Sequence, residues 1–181
     1  MCWGKVEFGL ISSAVIIPTG DELKSGIILD TDSPMVMQEL LSINSNLSII
    51  RNEPLIDNED IITDCINSYI EKEVDLIILS GGSGEGHKYS PILGKDFTHL
   101  SLDSLLNVKC STELYGKNGH LWCKLICGIK NKTIVINLPG PYKEAKAAIV
   151  AFKNAYLEDS TNLKIINAKM SDAVKMQYGS I

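Results

Sequence analysis

The chain has 181 residues, a formal net charge of −5, 45% hydrophobic and 22% charged residues. The length suits one domain of ordinary size with a real core. The acidic balance argues against nonspecific nucleic-acid binding, although Lys88, Lys95, Lys117 and Lys124 leave room for a local basic patch. Residues 8–17 are the longest apolar run near the N-terminus. Ser12 and Ser13 interrupt it, it is too short to span a bilayer, and it lacks the basic start and small-residue cleavage site of a signal peptide. The five cysteines form an odd set without a CxxC pair, which favours reduced thiols and a cytoplasmic location.

In chain order, residues 8–17 read as a first strand that ends at the Pro18-Thr19-Gly20-Asp21-Glu22-Leu23 turn. Ser33 as N-cap and Pro34 in the first turn open a helix whose apolar face is Val36, Met37, Leu40 and Leu41. Residues 47–51 are a short second strand. Asp57 stands at an N-cap position with Asp60 in the first turn, and Ile62, Ile66, Tyr69 and Ile70 recur at helical spacing.

The next segment carries most of the information. Residues 76–79, Leu-Ile-Ile-Leu, are fully apolar, too short for a helix, and read as a buried parallel strand. Ser80 follows, and then a loop with four glycines in residues 81–86. Glycines let a backbone turn sharply and approach a ligand closely. At the carboxyl end of a parallel strand, their N–H groups suit a phosphate. The loop lacks the Gly-Lys-Ser/Thr end of a Walker A loop and the spacing of a dinucleotide fingerprint. Ser83 has no nucleophile elbow around it and only His87 nearby as a base, which argues against serine hydrolysis.

Beyond this loop the pattern weakens. Residues 101–108 read as a short helix and residues 115–119 as a turn. Residues 121–127 and 133–137 read as a hairpin closed by residues 128–132. Cys123 and Cys127 alternate along that strand, so they and His120 do not make a zinc site. A second rim follows residues 133–137 at Leu138-Pro139-Gly140-Pro141. The helix behind it has Ala145, Ala148, Ile149, Phe152 and Tyr156 on one face, with Pro141 in its first turn. The tail beyond Glu158 is polar and weakly patterned. Alternating strands and helices predict an α/β domain with a mainly parallel sheet and helices on both faces. The pocket is expected where residues 81–86 and 138–141 share a rim.

These motifs, taken in order, resemble the molybdopterin-binding domain of molybdopterin adenylyltransferases and molybdenum insertases. Thr19-Gly20-Asp21-Glu22-Leu23 is similar to the insertase Thr-Gly-Asp-Glu-Leu turn, and Asp30-Thr31-Asp32-Ser33-Pro34 to the adenylyltransferase Asp-Thr-Ser-Gly-Pro helix start. Leu55-Ile56-Asp57-Asn58-Glu59 resembles the aspartate-bearing segment before the second helix. Ser80-Gly81-Gly82-Ser83-Gly84 resembles the Thr-Gly-Gly-Thr-Gly loop, and Asn137-Leu138-Pro139-Gly140-Pro141 the Asn-Leu-Pro-Gly-x-Pro segment. The resemblance covers most of the chain, with a core of about residues 8–157 and a tail of 158–181 in one domain.

It implies a three-layer α/β sandwich, often trimeric, that binds the pterin dithiolene phosphate, with ATP as adenylyl donor and magnesium as cofactor. It places phosphate at Gly81, Gly82, Ser83 and Gly84, and the pterin wall at Pro139 and Gly140. Asp57 is implied to place magnesium or the reacting phosphate. The family aspartate expected after the glycine loop is absent from Glu85-Gly86-His87-Lys88-Tyr89-Ser90-Pro91. Glu85 therefore stands beside Asp57 as the candidate catalytic carboxylate. The Lys-Pro-Gly turn and the further domains of insertases are also missing. Adenylyl transfer is the leading expectation. A non-catalytic pterin carrier is one alternative. The other is a nucleotide hydrolase like those of the competence-damage-inducible family, which also resembles this domain.

Overall fold

A computed structural model describes residues 10–81, 96–117, 119, 121–158 and 162–178. Strands β1 (Ser13–Pro18), β2 (Ser48–Arg51), β3 (Leu76–Ser80), β4 (Val108–Tyr115), β5 (Leu121–Lys130) and β6 (Thr133–Leu138) form one sheet in the order β2-β1-β3-β6-β5-β4. The pairs β2–β1, β1–β3 and β3–β6 are parallel, whereas β5 runs antiparallel to both its neighbours. The mainly parallel sheet expected from the sequence is therefore present.

The apolar runs explain the layers. Side chains alternate across a strand, and every residue of β3 is buried. Ile16, Ile78 and Ile136 enter one core cluster, while Val15, Ile77 and Val135 enter the other. The first cluster is covered by α2 (Asp32–Leu41), α5 (Tyr142–Glu158) and α6 (Leu163–Lys175). The second is covered by α3 (Glu59–Glu71) and α4 (Phe97–Leu105). The short α1 (Asp21–Lys24) follows β1 directly. This is the three-layer α/β arrangement.

Several boundaries differ from the sequence reading, each for a local reason. β1 starts at Ser13 because Ser12 and Ser13 spend their N–H and hydroxyl groups on Asp75 Oδ2, at 2.7–3.0 Å. At α2 the cap is not Ser33. Asp30 Oδ1 accepts from the Ser33 N–H at 2.9 Å, and Pro34 sits two positions deeper in the first turn than expected, where its missing donor still costs nothing. At α3 the cap is Asn58, whose side chain accepts from the Ile61 N–H at 3.0 Å, and not Asp57. Removing this cap with Asn58→Ala is expected to lower stability by about 1 kcal/mol, read as a shift in the urea midpoint at unchanged slope.

Pro141 precedes α5 instead of lying within it, its carbonyl accepting from Glu144 and Ala145. The helix expected over 101–108 is α4, which begins earlier, at Phe97 behind the Asp96 cap. Strand β4 was not foreseen: Lys109, Ser111, Thr112 and Glu113 give it little apolar pattern because it is the sheet edge. The hairpin of β5 and β6 is present but closes over Asn131 and Lys132 alone, with Asn131 at φ +56°. Gly128 lies in strand β5, where a Cβ would meet Leu106 Cδ1 and the Val108 carbonyl at 2.8 Å. The tail is not featureless either. In α6, Leu163, Ile166, Met170 and Val174 are buried at three- and four-residue spacing.

Candidate functional site

The parallel strands β1, β3 and β6 end on one rim, and short backbone hydrogen bonds fix their loops to each other. Thr19 N–H donates to the Ser80 carbonyl at 2.9 Å, Gly20 N–H to Leu55 at 3.0 Å, and Gly81 N–H to Leu138 at 3.3 Å. The expectation that the glycine loop and the Leu138–Pro141 segment share a rim therefore holds at Gly81 and Gly140. A Cβ built on Gly140 would lie 3.9 Å from Gly81 Cα. Pro139 is buried and Gly140 exposed at this edge.

Gly81 has a strict reason to be glycine. Its φ is +105°, and a Cβ there would stand 2.4 Å from the Thr19 carbonyl oxygen. Gly82, Ser83, Gly84 and Glu85 lie outside the described residues.

Carboxylates surround the same rim. Asp57 follows Leu55, whose carbonyl anchors Gly20, and its N–H donates to Asp21 Oδ1 at 3.1 Å. Asn58, not Asp57, caps α3. Across from Asp57 stands Asp96, a residue the sequence reading passed over. Asp96 caps α4, accepting from the His99 N–H at 2.9 Å on Oδ1. The first turn of α4 is tied to the residue just after β1 by the 3.2 Å contact of the Thr98 and Thr19 hydroxyls. The signal was the pattern Asp96-Phe97-Thr98-His99, an N-cap residue ahead of Leu102 and Leu105 at helical spacing. The stretch Glu85 to Pro91 holds no aspartate, as read from the sequence, and Asp96 lies five residues beyond it.

Burial pushes the Asp96 carboxyl up to about 7, with the negative charge of Asp57 adding to it. Its Oδ2 is buried without a hydrogen-bond partner among the described residues. His99 Nδ1 approaches that oxygen at 3.2 Å. Burial, reinforced by the charge of Lys124, holds His99 down to about 4, so the contact is polar and not an ion pair at neutral pH. Lys124 itself is engaged by Asp103 at 2.7 Å. On the other flank Asp32 is buried, and Ser80 Oγ lies 3.4 Å from its Oδ2. Burial and then the charge of Asp30 raise Asp32 to about 6. The rim thus gathers two raised carboxyls, at Asp32 and Asp96, on either side of Gly81.

Among the described residues, no three His, Cys, Asp or Glu side chains are grouped to hold a metal ion by themselves. A magnesium ion bridging phosphates needs only one or two protein carboxylates. Asp57 and Asp96 fit that lesser demand, since their mutual repulsion is what a cation would relieve. A separate groove of about 480 Å³ is lined by α5 and α6 residues such as Tyr142, Val150 and Ala173, and includes none of these rim residues.

In parallel α/β sheets the crevice outside the carboxyl ends of the strands is where small molecules bind, and the rim of Gly81, Gly140, Asp57 and Asp96 is the candidate for such a site here. The chain belongs to the family described as probable molybdopterin binding domain, whose model matches residues 15–159. The molybdopterin biosynthesis enzyme MoaB of Thermus thermophilus has the same fold, with a TM-score of 0.62 at 19% identity over 86% of this chain and 96% of that one. The tungsten cofactor synthesizing protein MoaB of Pyrococcus furiosus gives 0.63 at 18% identity over 84% and 96%. A CinA protein of Thermoplasma acidophilum gives 0.62 at 17% over 81% and 98%. By sequence, a CinA-like protein of Fervidobacterium nodosum is 42% identical over 74 residues, which is 41% of this chain and 17% of that protein. The chain is thus a molybdopterin-binding-type domain of the cofactor biosynthesis fold with CinA-like relatives.

Proposed function

We propose that the chain binds molybdopterin at this rim and transfers the adenylyl group of ATP to the pterin phosphate. The observation that carries this reading is the convergence of Gly81 and Gly140 with Asp57 and Asp96 at one end of the sheet. Gly140 leaves the main chain open beside Gly81 at this edge, and the family resemblance assigns the phosphate to Gly81, Gly82, Ser83 and Gly84 and the pterin wall to Pro139 and Gly140. An oxygen of the pterin phosphate attacks the α-phosphorus of ATP, and pyrophosphate leaves. Such a transfer is carried by positioning and by neutralising charge on the phosphoryl oxygens. Asp57, with Asp96 beside it, would hold magnesium, which supplies that neutralisation when bound. Glu85 is a further catalytic candidate. The working form is a homo-oligomer, a trimer by family resemblance, in the cytoplasm. No helix among the described residues is long and apolar enough to cross a membrane.

Incubating the protein with molybdopterin, ATP and magnesium should yield adenylated pterin and pyrophosphate, detected by mass spectrometry. Asp57→Asn should slow the reaction by on the order of 10²-fold while pterin still binds. Folded protein that binds pterin but makes no adenylated product would remove the transferase reading and leave the non-catalytic carrier. The carrier reading expects binding that is insensitive to Asp57→Ala and Glu85→Ala.

The 42% identical stretch shared with a CinA-like protein favours a second reading, hydrolysis of a nucleotide pyrophosphate or nicotinamide nucleotide at the same rim. Release of products from ADP-ribose or nicotinamide mononucleotide, with no adenylated pterin, would select it.

A further inference from the structure

Strands β4 and β5 pair antiparallel with Cys110 directly opposite Cys127, so both side chains stand on the same face of the sheet. The kind of pair follows from the neighbouring strand. Ile126 N–H points to β6, donating to Asn137 Oδ1 at 2.6 Å. Main-chain groups alternate along a strand, so those of Cys127 point to β4, which makes Cys110–Cys127 a hydrogen-bonded pair. Such pairs have Cα atoms about 5.5 Å apart, within the Cα span of a disulfide, but their Cβ atoms stand at the wide end of cross-strand spacings, so closing the bond must draw β4 and β5 together by roughly 1 Å at this rung. Both thiols are free, Cys110 half-buried and Cys127 fully buried beneath α6.

The next register pair on the same face, Thr112 and Leu125, holds that helix in place. Thr112 Oγ1 donates to Asn167 Oδ1 at 2.6 Å, and Asn167 Nδ2 donates to the Leu125 carbonyl at 3.0 Å. Cys123 lies opposite Leu114, and Cys65 packs against the other core cluster, so neither faces Cys110 in this way.

We propose that Cys110 and Cys127 are a redox-sensitive thiol pair that a hydroperoxide closes into a cross-strand disulfide. The half-exposed Cys110 is the entry point. Its thiolate attacks one peroxide oxygen, the O–O bond breaks, and Cys110 becomes a sulfenic acid while the peroxide leaves as an alcohol, or as water from hydrogen peroxide. The Cys127 sulfur then attacks the Cys110 sulfur and displaces hydroxide, which departs as water with the Cys127 proton. Two thiols are oxidised and one peroxide is reduced. The burial of both groups holds their thiols above the usual range, with Lys164 partly offsetting this at Cys110. Closure is therefore slow at neutral pH and speeds up as pH rises.

The test treats the folded full chain with hydrogen peroxide, quenches it, and counts thiols in denaturant. The count should fall by two from the five in the sequence and recover with dithiothreitol. Trypsin cuts after Lys109, Lys117, Lys124 and Lys130, which places Cys110 in peptide 110–117, Cys127 in 125–130 and Cys123 in a separate peptide. The first two should be linked in a nonreducing digest. Cys110→Ser, at a half-buried position, should stay folded and lose the linkage. No fall in thiols overturns the proposal. So do oxidation of Cys110 to a sulfinic acid with 125–130 unlinked, linkage to Cys123 or Cys65, and linkage that forms only in urea.

Discussion

Gly81→Ala is expected to destabilise the protein by about 3 kcal/mol or more. Two costs combine. The φ of +105° is one that side-chain-bearing residues rarely adopt, and the new Cβ would stand 2.4 Å from the Thr19 carbonyl oxygen. That oxygen belongs to backbone pinned by the Thr19 N–H bond to Ser80, so it cannot swing aside as a side chain would. Relief requires β1 and β3 to part at the rim, and ligand binding there should fall with stability. Gly140→Ala is the matched control. Among the described residues its Cβ would meet only Gly81 Cα, at the ordinary contact distance of 3.9 Å, so the fold should be nearly unchanged. Under the proposed function its methyl still narrows the pterin pocket. Urea unfolding and calorimetric titration of both variants separate the effects. A Gly81→Ala protein as stable as the parent would show that the two strand ends do not approach this closely.

Asp96→Asn should stabilise the fold at alkaline pH and impair function. The folded carboxyl titrates at about 7, above its ordinary 3.8. Between those values the unfolded chain has released its proton while the folded one keeps it, so stability falls as pH rises through this window and levels off above it. From pH 5 to pH 8 the parent should lose on the order of 2–3 kcal/mol to this group alone. The asparagine variant lacks that loss, so its stability relative to the parent should rise by that amount between the two pH values. Asp32, raised to about 6, contributes a smaller loss of the same sign that ends at lower pH and is common to both proteins. Urea unfolding at both pH values reads the difference directly. A difference independent of pH would mean that Asp96 ionises as an ordinary surface acid. Under the proposed adenylyl transfer, the same substitution should lower turnover by on the order of 10²-fold with pterin binding retained.

Both variants bear on how far the sequence reaches. Runs such as Leu76-Ile77-Ile78-Leu79 determined buried strands by themselves, because a residue row apolar on both faces is stable only between two helical layers. The stripe of Ile62, Ile66, Tyr69 and Ile70 likewise determined which face of α3 is buried. Glycine and proline after apolar strands marked the rim, since both are read from backbone geometry that any fold must respect. Three things were decided only in three dimensions. The polar edge strand β4 and the tail helix α6 owe their places to partners far along the chain, as in the contact of Asn167 with Thr112 and Leu125. The cap of α3 fell to Asn58 and not to its neighbour Asp57, a choice made by which side chain reaches the Ile61 N–H. Asp96 became a candidate for the site because packing of α4 against α3 and β5 buries its carboxyl within the field of Asp57, and burial, unlike residue type, is a property of the assembled layers.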